Sequence, residues 1–458
     1  MREYLFILII AAAVTYLLTP LVRRGAIAIN AQHAPRARDV HMKPTPLLGG
    51  LAMYGGLAAG LVVASRLSYL AQAFPSWRTV PGLLLAGGLL VIVGIVDDRW
   101  GLGATSKLAA QIAAGGIIVW SGVYLSWIPG PGGATVSLEP DLSTTVTVLI
   151  IVATINAVNF IDGLDGLASG IVGISAIAYM FYSYDLANSV GIQSQSVPAV
   201  ASAVLAGLCV GFLPHNFNPA RIFMGDTGAM LLGLLLAYGP ISSTASLDPN
   251  ILITYTGAQP LNRFPTILPL LIPIAIWLIP YTDMVLAVIR RTAKGMSPFD
   301  ADRQHLHHRL LNLGHSTRSA VLLMYLWAAL FSGLVVGLSV VRISLIWFGF
   351  LTVGAFAALL LATAPKLRPW RTGSGGKRAR GTGTRARSDD PVPATADLAA
   401  PAAARAAEAG ADALPPLPAH LAAPVGPPVP GMPPPNGNPP APPSGNPTGP
   451  RHRARGRS

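Results

Sequence analysis

Four short stretches of this chain carry side chains that can do chemistry, and each ends or interrupts an apolar run. They are VDDRWG (96–101), NAVNFIDGLDG (156–166), HNFNPARIFMGDTG (215–228) and DRQHLHHRLLNLGHS (302–316). Charge beside hydrocarbon is costly, so carboxylates there are candidate site residues by default. Asp97 and Asp98 are adjacent; on a helix they point about 100° apart, so one can bind while the other orients or takes a proton. Asp162 and Asp165 are three apart, which on a helix puts both on one face, and Gly163 and Gly166 leave room for close approach. Gly225 and Gly228 flank Asp226 and Thr227, so backbone and carboxylate can both reach a ligand at a helix start. Five converging carboxylates would repel one another without a cation, and hard oxygen donors favour Mg²⁺ or Mn²⁺. His305, His307 and His308 lie beside Arg303 and Arg309. The HxHH spacing could hold zinc, but no cysteine is near and the arginines would repel a metal. Arg with His suits an anionic diphosphate better. Carboxylates, a metal and a basic loop together are the equipment for phosphoryl transfer.

The elements that position these groups are membrane spans. Of 458 residues, 52% are hydrophobic and only 11% charged, against about 25% charged in an ordinary soluble domain. We expect an all-α polytopic membrane protein with about eleven transmembrane helices, near 4–22, 47–65, 80–96, 105–121, 145–160, 166–183, 199–215, 227–242, 265–289, 320–340 and 343–363. The first is too long for a signal-peptide core. Lys and Arg crowd the loops after spans 1 and 9: Arg23, Arg24, Arg36, Arg38 and Lys43 in one, Arg290, Arg291, Lys294, Arg303, Arg309 and Arg318 in the other. The positive-inside rule then places the N-terminus outside and the ends of odd-numbered spans in the cytoplasm. All four polar stretches follow odd-numbered spans, so they share the cytoplasmic face.

The net charge of +13 does not point to nucleic acid, because 13 of the 32 Lys and Arg lie beyond residue 365 and most others lie in those two loops. Residues 1–365 read as one membrane-embedded domain. Residues 366–458 are basic and rich in Ala, Pro and Gly; we expect a disordered cytoplasmic tail that could meet an anionic lipid surface. Cys209 is the single cysteine, so no disulfide framework exists.

Taken together, VDDRWG, NAVNFIDGLDGLASG, NPARIFMGDTGAMLLG and DRQHLHHRLLNLG, with HMKPTPLLGG (41–50) in the first basic loop, resemble the signatures of the polyprenyl-phosphate N-acetylhexosamine-1-phosphate transferases, glycosyltransferase family 4. The resemblance covers roughly residues 1–365. It implies transfer of a sugar-1-phosphate from a UDP-N-acetylhexosamine to undecaprenyl or decaprenyl phosphate, with release of UMP, at the cytoplasmic face of a bacterial plasma membrane. It implies a requirement for Mg²⁺ or Mn²⁺. By the same resemblance Asp226 is a metal ligand and a catalytic residue. Asp97 and Asp98 are the catalytic aspartate pair, the first a base on the lipid phosphate. Asp162 and Asp165 lie near nucleotide and metal and bind the metal with Asp226, and Asn159, three residues before Asp162, is a substrate-binding residue. Lys107 meets phosphate, Phe223 lies near the uracil, and Arg303, His305, His307 and His308 lie near the diphosphate. Thr45 belongs to the first-loop substrate motif. The HLHH sequence, where the peptidoglycan branch that uses UDP-MurNAc-pentapeptide has three contiguous histidines, is similar to the branch that uses UDP-GlcNAc to begin a cell-wall glycopolymer. The family includes dimers, so a homodimer fits it. A transporter of lipid-linked sugars is the rival reading; it would place its polar groups near the bilayer midplane rather than at one rim.

Overall fold

Long apolar runs in lipid must satisfy their backbone groups internally, and the helix does so within each segment. In the computed structural model the described residues are 1–33, 44–71, 74, 76–129, 135–189, 196–246, 289, 292, 315–340, 349–350 and 353–354, all within the unit Met1–Thr372. Ten helices have both ends among them: α1 (Arg2–Ala28), α2 (Gly49–Arg66), α3 (Ser68–Ala71), α4 (Thr79–Trp100), α5 (Ala104–Trp120), α6 (Pro140–Ile161), α7 (Leu167–Ser189), α8 (Ser196–Asn216), α9 (Gly225–Ser246) and α10 (Thr317–Val340). Two short antiparallel ladders accompany them, β1 (Gln32–His33) with β2 (Thr45–Pro46) and β3 (Trp127–Pro129) with β4 (Thr135–Ser137). All the helices except the four-residue α3 coincide with expected spans. Among the described residues six helices, α1, α4, α6, α7, α8 and α9, are long and apolar enough to cross a membrane. The expected spans at 265–289 and 343–363 fall almost wholly outside the described residues, so the count of eleven extends beyond them.

Helix ends follow local chemistry. Pro140 opens α6, where its missing N–H costs nothing. The 22 residues of α4 rise about 33 Å, enough for a hydrocarbon core of about 30 Å. The helix stops at Gly101, whose φ of 75° suits glycine, and the Gly101 N–H returns to the Asp97 carbonyl at 2.8 Å.

At the centre stands α9, with 94% of its apolar stretch buried, and beside it α8, with 89%; only 22% of α1 is buried. A helix apolar all round belongs in the interior of a bundle. α9 packs against α2, α4, α6, α7 and α8. Its first turn is approached closely by two neighbours. A Cβ on Gly50 of α2 would stand 2.2 Å from the Gly228 nitrogen, and one on Gly94 of α4 would stand 2.4 Å from Thr227 Cα. Small residues let helix backbones meet in this way. The C-terminal ends of α4, α6 and α8 and the N-terminal ends of α2, α5, α7 and α9 therefore gather at one end of the bundle.

Gly94→Ala must displace the start of α9, because its new carbon meets backbone rather than a flexible side chain. We expect a loss of about 1–3 kcal/mol, the usual range for overpacking, read as a lower melting temperature in detergent. Gly116→Ala, with open space around the new Cβ, should melt like wild type.

Candidate active site

The two adjacent carboxylates of α4 diverge, as their spacing requires. Asp98 turns to the N-terminus of α9. Its Oδ1 accepts the Asp226 N–H at 2.9 Å; its Oδ2 accepts the Thr227 N–H at 3.3 Å and the Thr227 hydroxyl at 2.6 Å. A carboxylate on the first N–H groups of a helix satisfies donors that have no partner within the helix and meets the positive end of its dipole. Gly225 has to be glycine here: its φ is +67°, and a Cβ would lie 2.3 Å from Asp98 Oδ2. Asp98 thus sets where Asp226, in the first turn of α9, points.

Asp97 turns the other way. The Leu102 N–H donates to its Oδ1 at 2.6 Å, and the Lys107 ammonium, from the first turn of α5, reaches its Oδ2 at 3.2 Å. The same ammonium lies 2.8 Å from Asp226 Oδ2. Asn159, near the end of α6, donates its amide to Asp226 Oδ1 at 3.3 Å. Oxygen atoms of Asp97, Asp98 and Asp226 all lie within 4.8 Å of one another. This hard-oxygen set can hold a divalent cation, and Lys107 already supplies one positive charge to it. Side-chain exposures of 12% for Asp97, 22% for Asp226 and 27% for Lys107 leave the group partly accessible.

Asp162 and Asp165 do not share a helical face, contrary to the reading from their spacing. α6 ends at Ile161, α7 begins at Leu167, and residues 162–166 form a turn, with Gly166 at a φ of +77°. Asp162, the first residue of this turn, is half-buried. Burial, and the nearby carboxylates of Asp226, Asp98 and Asp165, push its pKa up to about 8; a cation in the site would act in the opposite direction. Asp165 is 2% exposed and turns to the loop before α9, where Asn218 Nδ2 and the Ala220 N–H donate to its Oδ2 at 3.0 and 2.9 Å. It stands outside the cluster of Asp97, Asp98 and Asp226 and clasps this loop.

The first-loop stretch meets the FMGD stretch along a backbone seam. The Phe223 N–H donates to the Pro46 carbonyl at 2.8 Å, and the Gly49 and Gly50 N–H groups donate to the carbonyls of Phe223 and Met224 at 3.1 Å each. Thr45, 6% exposed, adjoins this seam, so Thr45 and Phe223 stand at the same end of the bundle as the aspartates. Arg303, His305, His307 and His308 lie outside the described residues. Two polar residues near the site escaped sequence reasoning: Asn216 and Asn218. Asn216 is 2% exposed; its Oδ1 accepts the Gly166 N–H and the Ser169 hydroxyl, each at 3.1 Å, and its amide donates to the Ile222 carbonyl. Their one signal was position, as polar side chains crowded around a helix end. Asn156 holds helices together instead, donating to Gln111 Oε1 at 2.8 Å between α6 and α5.

The divergence of Asp97 and Asp98 separates two effects. Asp98→Ala leaves buried donors of α9 without their acceptor and should cost about 1–3 kcal/mol. Asp97→Ala, at the more open side chain, should shift the melting temperature in detergent much less. Equal shifts would contradict these separate roles.

Comparison with known proteins agrees with this geometry. The family model described as glycosyl transferase family 4 matches residues 80–244, the segment from α4 through α9. A decaprenyl-phosphate N-acetylglucosaminephosphotransferase of Mycolicibacterium smegmatis is 44% identical over 333 residues, covering 72% of this chain and 80% of the relative. The protein of the same name from Mycobacterium leprae is 43% identical, covering 72% and 82%. A probable undecaprenyl-phosphate N-acetylglucosaminyl 1-phosphate transferase of Bacillus subtilis is 33% identical, covering 71% and 82%. An aspartate cluster at one end of an apolar bundle and similarity over most of the length of these relatives lead to one assignment: the chain belongs to glycosyl transferase family 4, among its polyprenyl-phosphate N-acetylglucosamine-1-phosphate transferases.

Proposed function

We propose that the chain transfers N-acetylglucosamine-1-phosphate from UDP-GlcNAc to a polyprenyl phosphate, giving polyprenyl-diphospho-GlcNAc and UMP. The observation that carries this reading is the meeting of Asp97, Asp98, Asp226 and Lys107 at one end of the bundle. A site at a bundle end can receive one substrate from water and the other from the membrane, and the names of the relatives agree with both. The basic loops favour a cytoplasmic position for that end. We assign the reaction to residues 1–365 and give residues 366–458 no part in it.

In net terms, an oxygen of the lipid phosphate forms a bond to the sugar-linked phosphorus. The bond from that phosphorus to the bridging oxygen breaks, and the bridging oxygen leaves with UMP. Both substrates are anions, so catalysis depends mainly on offsetting charge. Mg²⁺ or Mn²⁺ fits the oxygen donors present; Asp226 would hold it, with Asp97 and Asp162 near. When bound, such an ion offsets diphosphate charge. Asp97, still partly accessible, takes the proton of the acceptor phosphate. Lys107 neutralises phosphate oxygens, and Asn159 orients the Asp226 carboxylate. Phe223 and Thr45 border the substrates, and Arg303, His305, His307 and His308 meet the diphosphate.

Purified protein with Mg²⁺ and polyprenyl phosphate should release UMP from UDP-GlcNAc and not from UDP-MurNAc-pentapeptide; the reverse preference would sink the donor assignment. Asp226→Asn, still folded by thermal melt, should lose about 10²-fold or more of its turnover, as removal of a group that stabilises developing charge does. Near-normal turnover would remove Asp226 from the metal site. EDTA should abolish UMP release, and Mg²⁺ or Mn²⁺ in excess should restore it.

A further inference from the structure

α10 lies far from the aspartates in sequence yet touches both segments that border them. The Tyr325 hydroxyl donates to the carbonyl of Gly166, at the end of the turn that carries Asp162 and Asp165. Space for the Tyr325 ring exists because residue 170 is glycine: a Cβ there would lie 2.0 Å from Tyr325 Cζ. In the first turn of the same helix, Arg318 Nε donates to the Asn218 carbonyl at 3.2 Å. Asn218 is the residue whose amide holds Asp165 at 3.0 Å. Gly166 is tied in turn to Asn216, through its N–H to Oδ1 at 3.1 Å. The turn 162–166 is therefore bound to the end of α8 through Asn216 and to the loop 217–221 through Asp165, and both the turn and that loop are bound to α10. That loop leads directly into Gly225 and Asp226.

We infer that α10 is a clamp that holds the Asp162 turn in register with Asp226, with Tyr325 and Arg318 as positioning residues. Each acts on the backbone of a segment that carries or adjoins a ligand, rather than on the aspartate carboxylates themselves. Positioning by partners behind a metal ligand commonly contributes about 10–100-fold to metal affinity. Tyr325→Phe keeps the ring in its space beside Gly170 and removes only the donor. Arg318→Gln removes the other arm at an exposed site.

The inference rests on the proposed metal role of Asp162 and Asp226, so the test reads metal binding apart from turnover. Mn²⁺ is titrated into detergent-solubilised full-length protein, and free Mn²⁺ is followed by its electron paramagnetic resonance signal. UMP release is measured in parallel. Tyr325→Phe and Arg318→Gln should each weaken Mn²⁺ binding by about tenfold and raise the Mn²⁺ concentration for half-maximal turnover, with KM for polyprenyl phosphate unchanged. If both variants bind Mn²⁺ like wild type, with or without a lower melting temperature, α10 only supports the fold and the clamp is overturned. Should Tyr325→Phe fail to fold, Arg318→Gln alone decides. A wild-type protein that neither binds Mn²⁺ nor releases UMP would remove the site assignment, and the clamp with it.

Discussion

The bond between the Asp98 carboxylate and the first N–H groups of α9 is the constraint on which the site depends. It joins the end of one membrane helix to the start of another across a sequence separation of 128 residues. Where packing shuts out water, free donors at a helix start are expensive, and a carboxylate left unpaired is worse. Each relieves the other. The arrangement fixes α9 axially against α4, and so fixes the height at which Asp226 leaves the helix. The glycines around it follow from the same requirement: Gly94 and Gly50 admit the helix start, and Gly225 admits the carboxylate.

Around that joint the protein keeps several carboxylates close together, an arrangement that favours binding cations more than it favours folding. Lys107 offsets part of the repulsion by reaching Asp97 and Asp226 at once. Asp165 serves a different purpose. It accepts from Asn218 and the Ala220 N–H, outside the cluster of Asp97, Asp98 and Asp226. Acidic residues of one short motif thus divide into one that faces the cluster and one that holds a loop. Such a division is reasonable near lipid, where a buried carboxylate needs several donors to remain in place.

The helical bundle was legible because the bilayer demands long apolar runs with internally satisfied backbones, and composition alone reports those runs. Expected spans near 80–96, 145–160 and 227–242 correspond to α4, α6 and α9, with ends that differ by a few residues, as helix termini fray. The gathering of the aspartates at one end was legible too, since odd-numbered spans all finish on one side. The conformation of Asp162–Gly166 was not: a spacing of three suits a helix, but Gly166 takes a positive φ and the segment turns.

Residue types, span positions and the membership of a family were determined by the sequence by itself, because hydropathy and motif chemistry are local properties. Partnerships were decided only by the tertiary structure. Nothing near Asp98 in sequence announces that its oxygens serve Thr227, and nothing near Asp165 announces Asn218. Those bonds cross 129 and 53 residues, and their partners are chosen by which helix ends packing brings together. Direction at Asp97 and Asp98 was implied by the helical angle, but which of the two meets Lys107 and which holds the start of α9 depended on where α9 begins.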